Sequence, residues 1–202
     1  MGVMSDRDGK GRDRRRGPSV RAVPEGDDRE RLICADCGFV AYENPKIVVG
    51  SVARWEEKIL LCRRAIEPQR GFWTLPAGFL ELNETAADGA AREAAEEANA
   101  RLRIGPLLAV YNIPRISQVQ LIYIADLLSP DVAPGAESLE VGLFAWDDLP
   151  WAETAFPSVR WALDDYRAVR GKAVFGPRTN PPGDMGNYTP GPPPADIARK
   201  AT

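Results

Sequence analysis

The sequence predicts an α/β domain in which a mixed β-sheet lies between two helices. Apolar segments of strand length recur through the middle of the chain, and two segments there have the periodicity of amphipathic helices. The chain has 202 residues, of which 44% are hydrophobic, and this size suits one medium-sized domain with extensions. We predict a disordered basic tail over residues 1–21, a short cysteine-containing segment over 22–44, the domain over 45–170 and a disordered Pro/Gly-rich tail over 171–202.

Strands account for most of the predicted domain. The first two are joined by a short turn at Glu56 and Glu57, and Cys62, within the second, is interpreted as a core residue. The predicted strands span residues 46–54, 58–64, 102–111, 118–127 and 141–146.

Two predicted helices complete the fold. Thr85, with Asp88 three residues later, resembles a capping box, so the first helix is predicted to begin near Thr85. The second is an amphipathic helix over residues 158–169. The first helix has a face of small residues that can lie close against a sheet, formed by Ala87, Ala90, Ala91, Ala94 and Ala98.

The most informative feature is a cluster of acidic residues on the first helix. Glu93, Glu96 and Glu97 stand at positions i, i+3 and i+4, so they share one arc of the helix surface. Like charges at this spacing repel one another, so the helix either faces water or holds a positive group. A hard divalent cation is the natural candidate, because Mg²⁺ and Mn²⁺ take carboxylate and carbonyl oxygens. The apolar residues 73–78 before the helix, with their Pro and Gly, indicate a tight loop rather than a linker, which favours a docked helix.

The spacing of these residues resembles the signature of the Nudix hydrolases. In that signature a Gly precedes a Glu, and an Arg-Glu pair and a Glu-Glu pair follow on a helix that ends at a Gly. Asn99 stands where the family has this last Gly, and we expect the change to be tolerated because Asn also adopts the left-handed conformation that closes a helix. The matching positions here are Gly78, Glu84, Arg92, Glu93, Ala94, Glu96, Glu97 and Ala100.

The resemblance implies an α/β/α sandwich and a reaction in which water attacks a diphosphate with the help of Mg²⁺ or Mn²⁺. It implies structural roles for Gly78, Glu84 and Arg92, with Arg92 paired to Glu84. A Glu-x-x-Glu segment further along the chain makes Glu137 the implied third ligand or base, with Glu140 as the alternative. By the same resemblance, the catalytic residues are Glu93, Glu96 and Glu137, and the metal ligands are Glu93, Glu96, Glu97, Glu137 and the backbone carbonyl near Ala77 or Gly78.

Substrate contacts are also implied by position. Arginines that flank the entry to the site could grip phosphate, although ordinary surface charges are an equal alternative. The loop over residues 113–118 lacks the Trp- and Pro-rich motif of NADH pyrophosphatases, which argues against strict NADH specificity. The implied substrate-binding residues are Tyr42, Arg64, Arg70, Arg115 and Gln118.

The branch that hydrolyses ADP-ribose and FAD, with release of AMP, is the closer match. Four alternatives stay open: an NADH or coenzyme A pyrophosphatase, a nucleoside triphosphate hydrolase, a capped-RNA hydrolase, and a Nudix module that senses a nucleotide without turnover. The intact set of acidic positions argues against the last of these, since such modules usually lose charged positions.

Cys34 and Cys37 form a knuckle of the zinc-ribbon type, and several Nudix branches carry such a ribbon at this point. A tetrahedral zinc site needs four ligands, usually from two knuckles, and the chain has only three cysteines. We therefore interpret residues 22–44 as a degenerate ribbon and do not expect bound zinc, with Cys34 and Cys37 as the candidate ligands if it binds. Completion of the site between two chains is the alternative, because relatives are often homodimers.

The composition excludes several other classes of protein. The chain has no histidine, which rules out Ser-His-Asp and Cys-His catalysis and any His-ligated metal. A net charge of −3 gives no general attraction to nucleic acid or membranes, and the resemblance implies a small-molecule nucleotide as the partner. Without a long apolar run or an apolar leader, the protein is expected to be cytoplasmic.

Overall fold

The computed structural model describes residues 17–192 and 194. These residues form two compact units, of which the first ends at Asn44 and the second begins at Pro45. Within this part of the chain, no helix is both long and apolar enough to cross a membrane.

The first unit is a small antiparallel sheet of β1 (Val20–Ala22), β2 (Arg31–Ile33) and β3 (Val40–Ala41). A tight turn between β2 and β3 carries the cysteine pair, and Gly38 in this turn has a φ of 72°, which favours glycine. The turn is closed by hydrogen bonds from the Gly38 N–H to the Cys34 carbonyl and from the Cys34 N–H to the Phe39 carbonyl. Because β1 begins at Val20, the predicted tail ends earlier than residue 21, and its residues 1–16 lie outside the described residues.

The second unit contains a mixed seven-stranded sheet with the strand order β10-β5-β4-β9-β8, to which β6 and β7 add as short pairs with β5 and β4. Only β4 and β9 run parallel, and the other pairs are antiparallel. The strands are β4 (Lys46–Trp55), β5 (Lys58–Arg64), β6 (Trp73–Thr74), β7 (Ala77–Phe79), β8 (Leu102–Ile113), β9 (Gln118–Leu127) and β10 (Ser138–Ala145).

The helices α1 (Ala86–Ala98) and α2 (Pro157–Val169) cover the two faces of this sheet. Successive strand residues point to opposite faces, so Ala53 packs in the core beneath α1 while Val52 packs in the core beneath α2. The α1 core is built largely from alanines and so lets the helix lie close to the sheet, whereas the α2 core holds larger aromatic and aliphatic side chains. The predicted α/β/α sandwich is confirmed.

Both ends of α1 follow the local rules that the sequence indicated. The Thr85 hydroxyl accepts a hydrogen bond of 3.1 Å from the Asp88 N–H, which confirms the predicted start of the helix. Asn99 adopts the left-handed conformation with a φ of 50°, as expected for its replacement of the closing glycine.

The segment after α2 requires a correction, because residues 175–188 were predicted to be disordered and instead pack on the second unit. Arg178 adds to the free edge of β8, where its N–H donates to the Leu108 carbonyl and its carbonyl accepts from the Val110 N–H. The Asn180 side chain accepts from the Asn112 N–H and donates to the Asn112 carbonyl. The segment satisfies backbone groups that an edge strand would otherwise expose. Residues 193 and 195–202 of the predicted tail lie outside the described residues.

Replacing Asn180 tests how far this segment stabilises the domain. We expect Asn180→Ala to lower the free energy of unfolding by about 1–2 kcal/mol, because it removes hydrogen bonds to Asn112 and to the Asp184 carbonyl. Urea denaturation followed by circular dichroism measures the change. Asn187→Ala, at an exposed position of the same segment, is the matched control and should leave the midpoint unchanged. Equal midpoints for the two variants would contradict a stabilising role of the Asn180 contacts.

Candidate active site

The site is built where α1, β4 and β7 approach one another closely. A Cβ atom on Gly50 of β4 would lie 2.4 Å from the Cβ of Ala77, and a Cβ on Gly78 would lie 2.3 Å from a carboxylate oxygen of Glu93. The contact at Gly50, which also includes the Pro76 carbonyl oxygen at 2.8 Å, requires glycine, whereas a Cβ on Gly78 would displace the end of the Glu93 side chain. At this close approach, the Ala77 N–H donates a hydrogen bond of 3.2 Å to the Glu97 carboxylate of α1.

The acidic residues of α1 divide into a buried pair and an exposed member. Glu93 and Glu97 are only 8% and 6% exposed, while Glu96 lies at the surface. Burial raises the pKa of Glu97 to about 8, and the charges of Glu93 and Glu137 add to the effect, while the Ala77 N–H and Arg64 oppose it. Burial also raises the pKa of Glu93, against the opposing effect of Arg92. Two buried carboxylates with raised pKa values form a place where added positive charge is strongly favoured.

Arg92 ties this helix to the loop in front of it. Its guanidinium holds the Glu84 carboxylate in a two-pronged pair at 2.8 and 3.0 Å and also donates to the Phe79 carbonyl at 2.9 Å. The remaining N–H groups reach Glu93 at 2.8 Å and Glu96 at 3.0 Å. The pKa of Glu84 falls to about 2, chiefly through its hydrogen bonds from Arg92. The predicted ion pair between Glu84 and Arg92 is therefore present, and Arg92 additionally neutralises part of the acidic arc.

The structure places Glu137 and Glu140 in different surroundings. The loop before β10 packs on the end of α1, where the Gly135 N–H donates to the Glu97 carbonyl at 2.9 Å and a Cβ on Gly135 would lie 1.7 Å from the Glu96 carbonyl oxygen. This brings Glu137 close enough for its charge to raise the pKa of Glu93 and Glu97. An irregularity of strand register between Ser138 and Glu140 follows, and Glu140 is 56% exposed with a carboxylate oxygen 3.4 Å from Arg63.

The residues predicted to bind substrate differ in their burial and in the elements that carry them. Arg64, at the end of β5, is partly buried, and the charges of Glu97 and Glu137 act on it. Arg70 is exposed in the turn after β5, and Arg115 is exposed in a short 3₁₀ helix between β8 and β9. Gln118 is half-buried at the start of β9. Tyr42 belongs to the first unit, where its exposed ring lies beneath the Arg31 guanidinium, 5.1 Å from ring centroid to guanidinium carbon.

Sequence reasoning missed two glycines and two aromatic residues near these groups. Gly50 and Gly135 permit the close approaches described above, and only the Pro134-Gly135 turn signal could have drawn attention to one of them. Phe156 and Tyr188 pack against Arg64 and Arg115, but they lie in segments whose sequence has no helical or strand periodicity.

Metal-ligating side chains do not converge on one point in the described part of the chain. Across residues 17–192 and 194, no group of three or more His, Cys, Asp or Glu side chains is placed to hold one ion. At α1, Arg92 bonds to both Glu93 and Glu96. In the first unit, hydrogen bonds from the backbone N–H groups of Cys37 and Asp36 lower the pKa of the Cys34 thiol, as suits a metal-binding knuckle, but only the two thiols are present there.

The donor chemistry of the α1 site nevertheless fits a hard divalent cation. Carboxylate oxygens supplied by Glu93, Glu97 and Glu137 are the ligands that Mg²⁺ and Mn²⁺ prefer, and the burial of the first two favours a compensating positive charge.

The fold and two family models together define the class of protein to which the chain belongs. The sequence model of the NUDIX domain matches residues 44–162, and the model described as Nudix N-terminal, a zinc ribbon, matches residues 17–43, so the chain belongs to the Nudix hydrolase family. This agrees with the resemblance inferred from the sequence, and the assignment as an enzyme is confirmed with it.

Individual relatives are similar over parts of the chain. An ADP-ribose pyrophosphatase of Methanocaldococcus jannaschii is 30% identical over 54% of this chain and 67% of its own length. An NAD-capped RNA hydrolase, NudC of Photobacterium profundum, is 26% identical over 59% of this chain and 44% of its own length. The chain thus spans about half the length of such NudC relatives. The crystal structure of a Nudix hydrolase from Nitrosomonas europaea is 49% identical, with a TM-score of 0.75, and the match covers 80% of this chain and 93% of that one.

The close approach at Gly78 gives a test of the site geometry. We expect Gly78→Ala to reduce the rate of nucleotide hydrolysis by about 10- to 100-fold, because the added methyl group displaces the Glu93 carboxylate. Steady-state assays of product release measure the effect. Gly176→Ala is the control, because a Cβ there meets no atom within 4 Å and its φ is compatible with alanine. Full activity of Gly78→Ala would show that Glu93 does not need the position it has here.

Proposed function

We propose that the chain hydrolyses the diphosphate bond of a nucleoside diphosphate linked to a second group, with ADP-ribose or FAD as substrate and AMP as one product. The observation that carries this proposal is the pair of buried carboxylates, Glu93 and Glu97, set against the Ala77–Gly78 backbone with Arg64 beside them. The likeness to an ADP-ribose pyrophosphatase over residues of the same domain supports the choice of substrate.

Mg²⁺ or Mn²⁺ is the proposed cofactor. Glu93 and Glu97 are its proposed principal ligands, with Glu96, Glu137 and the carbonyl of Ala77 as further donors. When bound, the cation neutralises charge on the diphosphate oxygens and makes water more acidic. Arg92 donates to Glu93 at 2.8 Å and to Glu96 at 3.0 Å, so a cation held by these two carboxylates would share them with this guanidinium.

The remaining steps fall to the side chains of the chain itself. Glu137 is the proposed general base, which takes the proton as water forms a new bond to phosphorus and the bridging P–O bond breaks. Arg64 is proposed to bind the phosphate oxygens, since it is partly buried at the end of β5 and is paired in register with Ser138, the residue after Glu137. Arg92 positions Glu93 and Glu96 and is not itself proposed to touch the substrate.

A second candidate function is the hydrolysis of NADH or a related dinucleotide. The specific observation in its favour is the match of residues 17–43 to the zinc-ribbon model of the family, together with the likeness to NudC proteins. A panel of nucleotide substrates separates this function from the first.

Substrate choice is tested with a panel of ADP-ribose, FAD, NADH, coenzyme A and deoxynucleoside triphosphates in Mg²⁺ or Mn²⁺, with products separated by chromatography. We expect ADP-ribose or FAD to give the highest kcat/KM. Glu97→Gln should lower it by at least about 100-fold, because the substitution removes a charged metal ligand.

Glu56→Gln, at an exposed turn between β4 and β5, is the matched control and should behave as the wild type. Turnover of none of the substrates would sink the proposed activity, and an active Glu97→Gln variant would sink the assignment of Glu97.

The choice between the two acidic residues near β10 has its own test. We expect Glu137→Gln to lower kcat by about 10²- to 10⁴-fold, the usual contribution of a general base. Glu140→Gln should change kcat by less than about twofold, because Glu140 pairs with Arg63, whereas the charge of Glu137 acts on Glu93 and Glu97. Single-turnover assays on the two variants compare them directly, and the reverse order of effects would reassign the role to Glu140.

A further inference from the structure

The segment after α2 brings an aromatic residue to the proposed substrate site. It lies beyond residues 44–162, which the NUDIX model matches, and the sequence analysis gave it no role. The Trp161 ring N–H donates to the Asp184 carboxylate at 3.2 Å, and the same carboxylate accepts from the Gly186 N–H at 3.0 Å. Gly186 has a φ of 72° and packs so tightly on Ile113 that a Cβ would lie 2.7 Å from its Cδ1 atom. These contacts fix the chain just before Tyr188.

Tyr188 completes a row in which two arginines enclose two aromatic rings. The Arg64 guanidinium lies 5.2 Å from the Phe156 centroid, and the Phe156 and Tyr188 rings meet edge to face with centroids 5.6 Å apart. The Arg115 guanidinium lies 5.6 Å from the Tyr188 centroid. Arg64, at one end, is paired in register with Ser138 of β10, and the N–H of the next residue, Ala65, donates to the Glu137 carbonyl at 2.8 Å. The row therefore starts next to Glu137 and ends at the loop between β8 and β9.

The far end of this row is open to a planar ligand. Tyr188 and Phe156 are only partly buried, and Arg115 is exposed. The 5.6 Å from the Tyr188 ring centroid to the Arg115 guanidinium carbon is the distance of a cation–π contact. A nucleobase stacked between the two groups needs about 7 Å, twice the van der Waals contact distance, so the exposed Arg115 side chain must move outward by roughly 1.5 Å to admit it. The base then replaces one cation–π contact with stacking on both of its faces.

We propose that Tyr188 and Arg115 bind the nucleobase of the substrate, while Arg64 binds its phosphates. The order of the groups agrees with the order in which a nucleotide presents phosphate, sugar and base. The proposal rests on the proposed function for the same site and adds a specificity-determining residue from outside the matched family domain. It also gives a reason for the ordered packing of a segment that is rich in Pro and Gly.

The test is the binding of AMP and ribose 5-phosphate to the full chain, measured by isothermal titration calorimetry. These two ligands share the phosphate and ribose, and only AMP carries a base. We expect Tyr188→Ala to raise the Kd for AMP by roughly tenfold or more, as is usual for the loss of a stacked base, and to leave binding of ribose 5-phosphate unchanged within about twofold. Tyr188→Phe keeps the ring and should stay within about threefold of the wild type.

Met185→Ala is the matched control, because Met185 is an exposed residue of the same segment. If Tyr188→Ala does not fold, Arg115→Ala tests the proposed base-binding role instead. Loss of this exposed side chain should weaken AMP binding several-fold without affecting stability. The proposal is overturned if Tyr188→Ala, or Arg115→Ala in its place, leaves AMP binding unchanged. It is also overturned if the variant weakens both ligands equally, if Tyr188→Phe loses as much affinity as Tyr188→Ala, or if the wild type does not bind AMP at millimolar concentration.

The two proposals can fail separately. Hydrolysis of ADP-ribose with unchanged KM in Tyr188→Ala would leave the proposed function in place and remove the base-binding role. Base-dependent AMP binding without hydrolysis of any substrate in the panel would do the opposite. For an active wild type, the base-binding role further predicts that Tyr188→Ala raises KM for ADP-ribose and changes kcat by less than about twofold, because the ring lies away from the reacting bond.

Discussion

The arrangement of the site depends on the guanidinium of Arg92. It bonds to Glu84 and to the Phe79 carbonyl in the loop and to Glu93 and Glu96 on the helix, so one side chain joins the two parts of the site. Lysine could not replace it, because an ammonium group lacks the planar fork that grips a carboxylate with two parallel hydrogen bonds. Arg92 also offsets the repulsion among the acidic residues of α1.

Glycines allow the backbone to come close enough for these contacts. Gly50 admits Ala77, Gly78 admits the Glu93 carboxylate, and Gly135 admits the carbonyl at Glu96. Each glycine removes a Cβ where two elements meet, and together they bring the β7 loop, α1 and the loop before β10 to one place. The acidic side chains alone would not make a site, because Glu97 receives its hydrogen bond from Ala77 only when β7 lies this close to α1.

The sequence predicted those features of the structure that depend on residues close together in the chain. The start of α1 at Thr85, its end at Asn99 and the spacing of Glu93 and Glu97 depend on residues a few positions apart, and the sequence indicated all of them. The choice between Glu137 and Glu140 depends on a register irregularity in β10 and on the packing of Gly135, which no local pattern specifies. Pairing of Arg178 with β8 joins residues that are distant in the chain. A Pro- and Gly-rich composition gives no periodicity from which such pairing could be inferred.

The segment after α2 links the stability of the domain to its proposed specificity. Arg178 and Asn180 satisfy the exposed edge of β8, and the chain that they anchor continues through Asp184 to Tyr188. The unpaired N–H and C=O groups of an edge strand need to be protected, and many different sequences could do this. Here the cover also carries an aromatic ring to the row that begins at Arg64. Tyr188 lies outside residues 44–162, which the NUDIX model matches, so the proposed base contact and the carboxylates of α1 belong to separate parts of the chain.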